Sequence, residues 1–194
     1  MSLLKLAVVP ALVALLTGCG TGALLKRDSR GPSPDESVVV IGVTPNFRLH
    51  VLPGEEVSGS FSKSQWFGPV INGVAEDGYI VATVKPGRLL AITDVFATNN
   101  GGFSGRRYVA CGGTRTPVFQ VPAGKLLYLA DIDYVPSGSK LSIRYRDRLA
   151  AAEEHIRAHY PQLKGKLEPL EYRALPTADG CGGGTTVIPI YIPR

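Results

Sequence analysis

Short apolar or alternating segments recur along the chain from position 38 onward. Residues 38–41 form a β-branched run, and residues 47–51 alternate apolar and polar side chains, as a half-buried strand does. Gly, Pro, Asn or Ser separates each segment from the next, and Pro53-Gly54 is predicted to form the turn after residues 47–51. Further strands are predicted at 79–84, 89–97, 106–110, 117–121, 126–135, 141–146 and 186–192, with weaker ones at 57–61 and 65–71. Residues 167–175 are predicted to be extended but interrupted by Pro169. This spacing is typical of a sandwich or barrel and predicts one mainly β domain over 38–194.

One segment, about 147–160, has a helical period instead of an alternating one. Its apolar residues share one helix face: Leu149, Ala152, Ile156, Tyr160 and, just beyond, Leu163. Asp147 is predicted to cap the start, and Pro161 to end the helix near Tyr160. We expect the helix to cover an open edge or end of the sheet. The predicted fold is therefore an antiparallel β-sandwich, immunoglobulin-like or transthyretin-like, with one α-helix in the C-terminal half.

Two stretches of the chain repeat each other in register. Residues 87–95 (GRLLAITDV) match residues 124–132 (GKLLYLADI), and a strand-like end and a Pro-containing turn precede each copy. This similarity predicts one hairpin plan used twice, in which a long strand returns beside the strand before it. The alternative is chance, because β-turns draw on few residue types.

The N-terminus has the pattern of an exported protein. Lys5 precedes an apolar run over 6–16 that is too short to span a bilayer and is broken by Pro10. The run ends in Leu16-Thr17-Gly18-Cys19, which resembles the lipobox of bacterial lipoproteins. That resemblance implies a signal peptide over 1–18 and a lipid anchor on the thiol of Cys19. The alternatives are an ordinary secreted protein and an uncleaved membrane helix.

The residues after Cys19 indicate where the protein is held. Gly20 stands where many inner-membrane lipoproteins carry Asp, so the resemblance implies the outer membrane, facing the periplasm, with a Gram-positive cell membrane as the alternative. Residues 19–37 are polar and contain two prolines, which predicts a flexible membrane tether. The formal net charge of +5 is mild and scattered, and no motif indicates nucleic-acid binding.

With Cys19 acylated, an exported domain retains Cys111 and Cys181. Such a pair predicts one disulfide, and the flanking glycines make its geometry easier to reach. Two free thiols or an intermolecular bond are the alternatives. Widely separated cysteines without nearby histidines are a poor zinc signal, and no cofactor is predicted.

Polar candidates for chemistry are sparse. His155 and His159 share a helix face at the spacing of a metal pair, but without the Glu of the zinc-protease pattern, so packing at the helix boundary is the preferred interpretation. Asp131 and Asp133 share a strand face, and are interpreted as solvated residues that discourage edge pairing. No Gly-x-Ser-x-Gly elbow occurs, although a triad assembled from distant residues stays open.

Trp66 and Phe67 form the one dense aromatic pair. Core packing is the preferred interpretation, and contact with a partner or a membrane is the alternative. Together these features predict a non-enzymatic, lipid-anchored accessory or structural protein of the envelope that docks a protein partner. A ligand- or cell-wall-glycan-binding module is the first alternative, and a hydrolase the second.

Overall fold

The computed structural model describes residues 23–98 and 105–182, together with the backbone of Thr185–Ile190. This part of the chain contains fourteen strands and one helix, so the mainly β prediction is confirmed. The strands are β1 (Ala23–Leu24), β2 (Ser37–Thr44), β3 (Arg48–Val57), β4 (Ser60–Lys63), β5 (Ile71–Val74), β6 (Tyr79–Val84), β7 (Leu89–Ala97), β8 (Arg106–Val109), β9 (Arg115–Gln120), β10 (Leu126–Ser137), β11 (Lys140–Arg146), β12 (Glu168–Pro169), β13 (Tyr172–Pro176) and β14 (Thr185–Ile190); the helix is α1 (Leu149–His159).

The strands form two sheets that face each other as a β-sandwich. The first sheet orders β1-β6-β2-β10-β11, with β12 also on β10. In the second sheet, β7 lies between β3 on one side and β8 and β9 on the other; β4 and β5 pair with β3, and β13 pairs with β9. Strand β14 joins the sheets along one side by pairing with β11 and β8. Most pairs are antiparallel, as predicted, but β2 runs parallel to β10.

The main core lies between the sheets, and a second apolar layer lies under the helix. These two layers explain why the sequence of strand β2 is continuously apolar. Val39, Ile41 and Val43 join the main core, whereas Val38 and Val40 pack on the helix side. Both faces of β2 are therefore covered, and every residue from Ser37 to Val43 is buried.

The predicted helix is confirmed, but its position and start differ from the prediction. Ala152, Ile156 and Tyr160 pack against Val38 and Tyr128, so the helix covers the outer face of the central strands and not an edge. The capping position falls on Arg148, which makes no side-chain capping hydrogen bond. The Asp147 carboxylate instead accepts from the backbone N–H of Leu149 at 3.3 Å.

The sequence repeat corresponds to a shared strand irregularity. The pairing register shifts beside Asp94 in β7 and beside Asp131 in β10, which are matching positions of the two copies. The predicted repeated hairpin is wrong, because β6 pairs with β1 and β2 in the first sheet while β7 belongs to the second. Each Pro/Gly turn therefore carries the chain from one sheet to the other, and both turns lie at the same end of the sandwich.

Three local predictions around β3 are corrected. Pro53 and Gly54, expected in a turn, lie inside β3 and pair with Leu90 and Leu89. The hairpin turn comes later, at Ser58 and Gly59, which have positive φ angles of 51° and 76°. The weak strand predicted at 57–61 spans this turn, and the one at 65–71 is a loop until Ile71 begins β5.

Much of the predicted tether is part of the domain. Ala23 and Leu24 pair with Thr83 and Ala82 as an added edge strand. Leu25 is buried in the layer under the helix, and its N–H donates to the carbonyl of Val81 at 2.9 Å. Leu25 is buried, whereas Ala23 and Leu24 stay exposed and are held by their pairing with β6. The tether prediction is therefore wrong from Ala23 onward.

Candidate functional site

Trp66 and Phe67 lie in the loop between β4 and β5, at the margin of the second sheet. Two backbone hydrogen bonds of 2.8 Å hold the base of this loop, from Ser64 N–H to the carbonyl of Pro53 and from Val70 N–H to that of Val51. Between them the chain projects outward. Trp66 is 92% exposed and Phe67 46%, so the core-packing interpretation is wrong.

The loop also contacts the turn between β6 and β7. The guanidinium carbon of Arg88 lies 4.2 Å from the centroid of the Phe67 ring, within the range of a cation–π contact. Arg88 enters the second sheet directly before Leu89, and Gly87 accepts a hydrogen bond from the Gln120 amide at 3.1 Å. The exposed aromatic pair therefore rests on a fixed frame.

A concave surface lies beside this frame, and we call it the aromatic groove. Its volume is about 780 Å³, a size typical of ligand sites. It is enclosed by the end of β3, the loop between β4 and β5 that carries Trp66 and Phe67, the turn between β6 and β7, and the end of β9. Its lining combines the two aromatic rings with charges of both signs and two amides: Glu55, Glu56, Lys63, Gln65, Trp66, Phe67, Arg88 and Gln120. Sequence reasoning missed Arg88, Gln65 and Gln120, since distant strands bring them to one surface.

Val57 adds a third exposed apolar side chain, besides Trp66 and Phe67, at this end of the domain. Val57, at the tip of the β3–β4 hairpin, is 47% exposed and lies three residues beyond Gly54, which pairs with the first residue of β7. Val135 is 53% exposed but belongs to the β10–β11 hairpin at the opposite end of the sandwich. The chain also enters its first described strand at the groove end, because Ala23 pairs with Thr83 near the end of β6.

The predicted boundary histidines pack against an aromatic side chain. The His155 ring lies 4.4 Å from the Tyr79 ring and 4.6 Å from that of His159, measured between centroids. Burial lowers the pKa of His155, and its Nε2 atom has no hydrogen-bond partner. Within the described residues, no group of three metal-ligating side chains occurs. This geometry favours the packing interpretation.

The third histidine, His50, belongs to a polar cluster on the outer face of the second sheet. Its ring centroid lies 4.7 Å from that of Phe96, with the two rings tilted by 56°. His50 also lies opposite Asp94, which is 2% exposed. Arg107 donates to Oδ1 of Asp94 through Nε at 2.6 Å and lies at 2.5 Å through Nη2, and Thr93 donates to Oδ2 at 2.7 Å. Both carboxylate oxygens are therefore engaged, and Asp94 acts as an ion-pair partner.

The two strand aspartates are placed differently from the prediction. Asp131 is 6% exposed, its nearest cation is Arg148 at 3.8 Å, and its Oδ1 atom has no partner. Burial raises the pKa of its carboxyl group. Asp133 is half-buried and pairs with Arg146 at 2.6 Å. The solvated-edge interpretation is wrong, because β10 lies between β2 and β11 and is not an edge strand.

The predicted disulfide is confirmed. The Sγ atoms of Cys111 and Cys181 are 2.00 Å apart, with the buried Cys111 side chain on one side. The bridge connects the segment after β8 to the segment before β14.

The predicted lipidation residue Cys19 and the signal peptide 1–18 lie outside the described residues. In the part of the chain that is described, no helix is both long and apolar enough to cross a membrane.

Comparison with known proteins does not indicate a function, so a function has to be inferred from the aromatic groove. No protein-family model, no curated protein and no solved structure matches the chain. The immunoglobulin-like or transthyretin-like subtype of the sandwich therefore stays a prediction.

Proposed function

We propose that this protein is a lipid-anchored, non-enzymatic accessory protein of the bacterial envelope that docks a protein partner through its aromatic groove. Cys19 carries the lipid in this proposal, and the outer membrane is the proposed location. The observation that carries the docking proposal is the 92% exposure of Trp66 on a loop whose base is held by backbone hydrogen bonds.

An exposed Trp beside an Arg has the composition of an interface hot spot. Burying an indole removes roughly 200 Å² from water, which contributes on the order of 5 kcal/mol before ordering costs. The neighbouring Glu55, Lys63 and Arg88 offer charges of both signs, which favour one docking orientation over others. The two backbone hydrogen bonds at the base of the loop reduce the backbone entropy that is lost on binding.

Replacing Cys19 tests the anchor. We expect Cys19→Ala to leave the protein unprocessed or to release it from the membrane fraction, because no acyl chain can then be attached. Metabolic labelling with a palmitate analogue followed by fractionation measures this. A processed, membrane-bound Cys19→Ala protein would refute the anchor.

Site-specific photo-crosslinking tests the docking. A benzoylphenylalanine at Gln65, inside the groove, is expected to give a discrete protein adduct in intact cells, and the same residue at Val135 is expected to give none. Adding Trp66→Ala to the Gln65 probe should reduce the adduct at least tenfold, since a hot-spot truncation costs 2 kcal/mol or more. An adduct unchanged by Trp66→Ala would contradict docking through the groove.

A glycan is the second candidate occupant. The specific observation in its favour is that Gln65 and Gln120 line the same groove as Trp66, since amides can bind sugar hydroxyls while an aromatic face stacks on the ring. Soluble cell-wall fragments should then quench Trp66 fluorescence saturably, and Gln120→Ala should weaken the effect. Protein docking predicts no saturable response to such fragments.

A further inference from the structure

The position of the aromatic groove relative to the anchor restricts where its occupant can come from. We infer that the groove is presented at the membrane surface, and that its occupant is a membrane-proximal segment of a protein embedded in the same leaflet. This inference rests on the proposed lipid anchor and docking, and it names the kind of partner.

The first support is the strand pairing at the N-terminal end of the described chain. The hydroxyl of Thr83 donates to the carbonyl of Ala23 at 3.2 Å, next to the end of β6. Four and five residues after Thr83, the chain reaches Gly87 and Arg88, which line the groove. The entry point and the groove therefore lie at the same end of the sandwich.

The second support is that the residues that follow Ala23 contact the domain. Leu25 is buried, Arg27 pairs with Asp77 at 2.5 Å, and Gln162 donates to the carbonyl of Lys26 at 3.2 Å. Because these residues belong to the domain, the link between Cys19 and the domain is only the four residue steps from Cys19 to Ala23. Four steps reach at most about 14 Å. The predicted tether, with 18 flexible residues after Cys19, would have had an r.m.s. span of roughly 20–25 Å.

The third support concerns the choice between a protein and the bilayer itself. The groove is concave, and it contains Glu55 and Glu56 alongside Lys63 and Arg88. Carboxylates repel anionic headgroups, and a planar bilayer surface fits a concave groove poorly. A protein segment with an apolar side chain between charges of both signs fits the lining better.

The experiment lengthens the connection to the membrane in the full-length, lipidated protein. Twenty Gly/Ser residues are inserted after Gly20, and the control changes Gly20, Thr21 and Gly22 to Ser without changing the length. The longer link has an r.m.s. span of about 27 Å, which dilutes the groove near the membrane roughly five- to tenfold. The crosslinking yield of the Gln65 probe is measured in cells for both proteins.

A discrete protein adduct that falls at least fivefold with the spacer, but not with the serine control, supports the inference. An adduct of unchanged yield with the spacer would overturn the membrane-proximal partner while leaving docking intact. Adducts to lipid alone would overturn the protein occupant in favour of the bilayer. Absence of any adduct at Gln65 would overturn the proposed docking itself.

Discussion

The Asp131 side chain fills the space that a Cβ atom at Gly42 would need, so a substitution at Gly42 tests this packing directly. Gly42 in β2 lies opposite Asp131 in β10. A Cβ atom at Gly42 would lie 1.7 Å from Oδ1 of Asp131 and 3.0 Å from its Cα atom. Gly42→Ala must therefore displace a buried carboxylate or separate two central strands.

The expected cost follows from this overlap. Overpacking a core typically costs 1–3 kcal/mol, and the clash here is with a carboxylate held between two paired strands, so we expect about 3 kcal/mol. For a domain of this size each kcal/mol corresponds to roughly 2–4 °C in Tm, so Gly42→Ala should lower Tm by about 6–12 °C. Circular dichroism of the purified domain at several temperatures measures this.

A matched control and a double variant make the test specific. Gly180 has no heavy atom within 4 Å of an added Cβ, so Gly180→Ala should change Tm by less than about 2 °C. Combining Gly42→Ala with Asp131→Ala should recover at least half of the loss, because the clashing carboxylate is removed. Equal Tm values for the two single variants, or no recovery in the double variant, would refute the placement of Asp131 over Gly42.

Three further predictions concern buried charge and the disulfide. Because burial raises the pKa of Asp131, folding favours its protonated form, and this stabilisation is lost as pH rises through the folded pKa. Asp131→Asn should therefore have a higher Tm than the wild type at about pH 8, and the difference in Tm should vanish toward pH 3.8. Arg107→Ala leaves the carboxylate of Asp94 buried without its cation, and should lower the free energy of unfolding, measured in urea, by about 2–4 kcal/mol. Arg173→Ala removes an exposed pair with Glu56 and should lower it by under about 1 kcal/mol. Equal losses in the two variants would contradict this contrast. The disulfide closes a sequence separation of 70 residues, so Cys181→Ser should lower stability by about 2–4 kcal/mol, and a reductant should affect the wild type but not the variant.

The strands were predictable where periodicity and turn residues agree. The bounds of β7 match the predicted 89–97, and the apolar residues predicted to share one helix face, from Leu149 to Tyr160, do pack together under the helix. Local pattern suffices there because each residue's burial follows from its own element's period. It failed at Pro53 and Gly54, whose turn propensity gives way to pairing with Leu90 and Leu89.

The candidate site was only half predictable. Trp66 and Phe67 were identified from composition, but the apolar character that marks a core residue also marks an exposed contact residue. The role of Arg88 depends on a turn that crosses between sheets, which the sequence does not distinguish from a hairpin turn. Asp131 looked solvated because nothing in its own segment shows that strands flank it on both sides.

The sequence by itself determined a mainly β chain with one amphipathic helix and one cysteine pair, since strand period, helix period and composition are local properties. Tertiary structure alone decided which faces are covered: β2 is sealed on both sides, Trp66 is left outside, and Ala23 and Leu24 are drawn onto the sheet edge. Burial depends on which distant segments meet, and that information lies in the pairing of strands far apart along the chain.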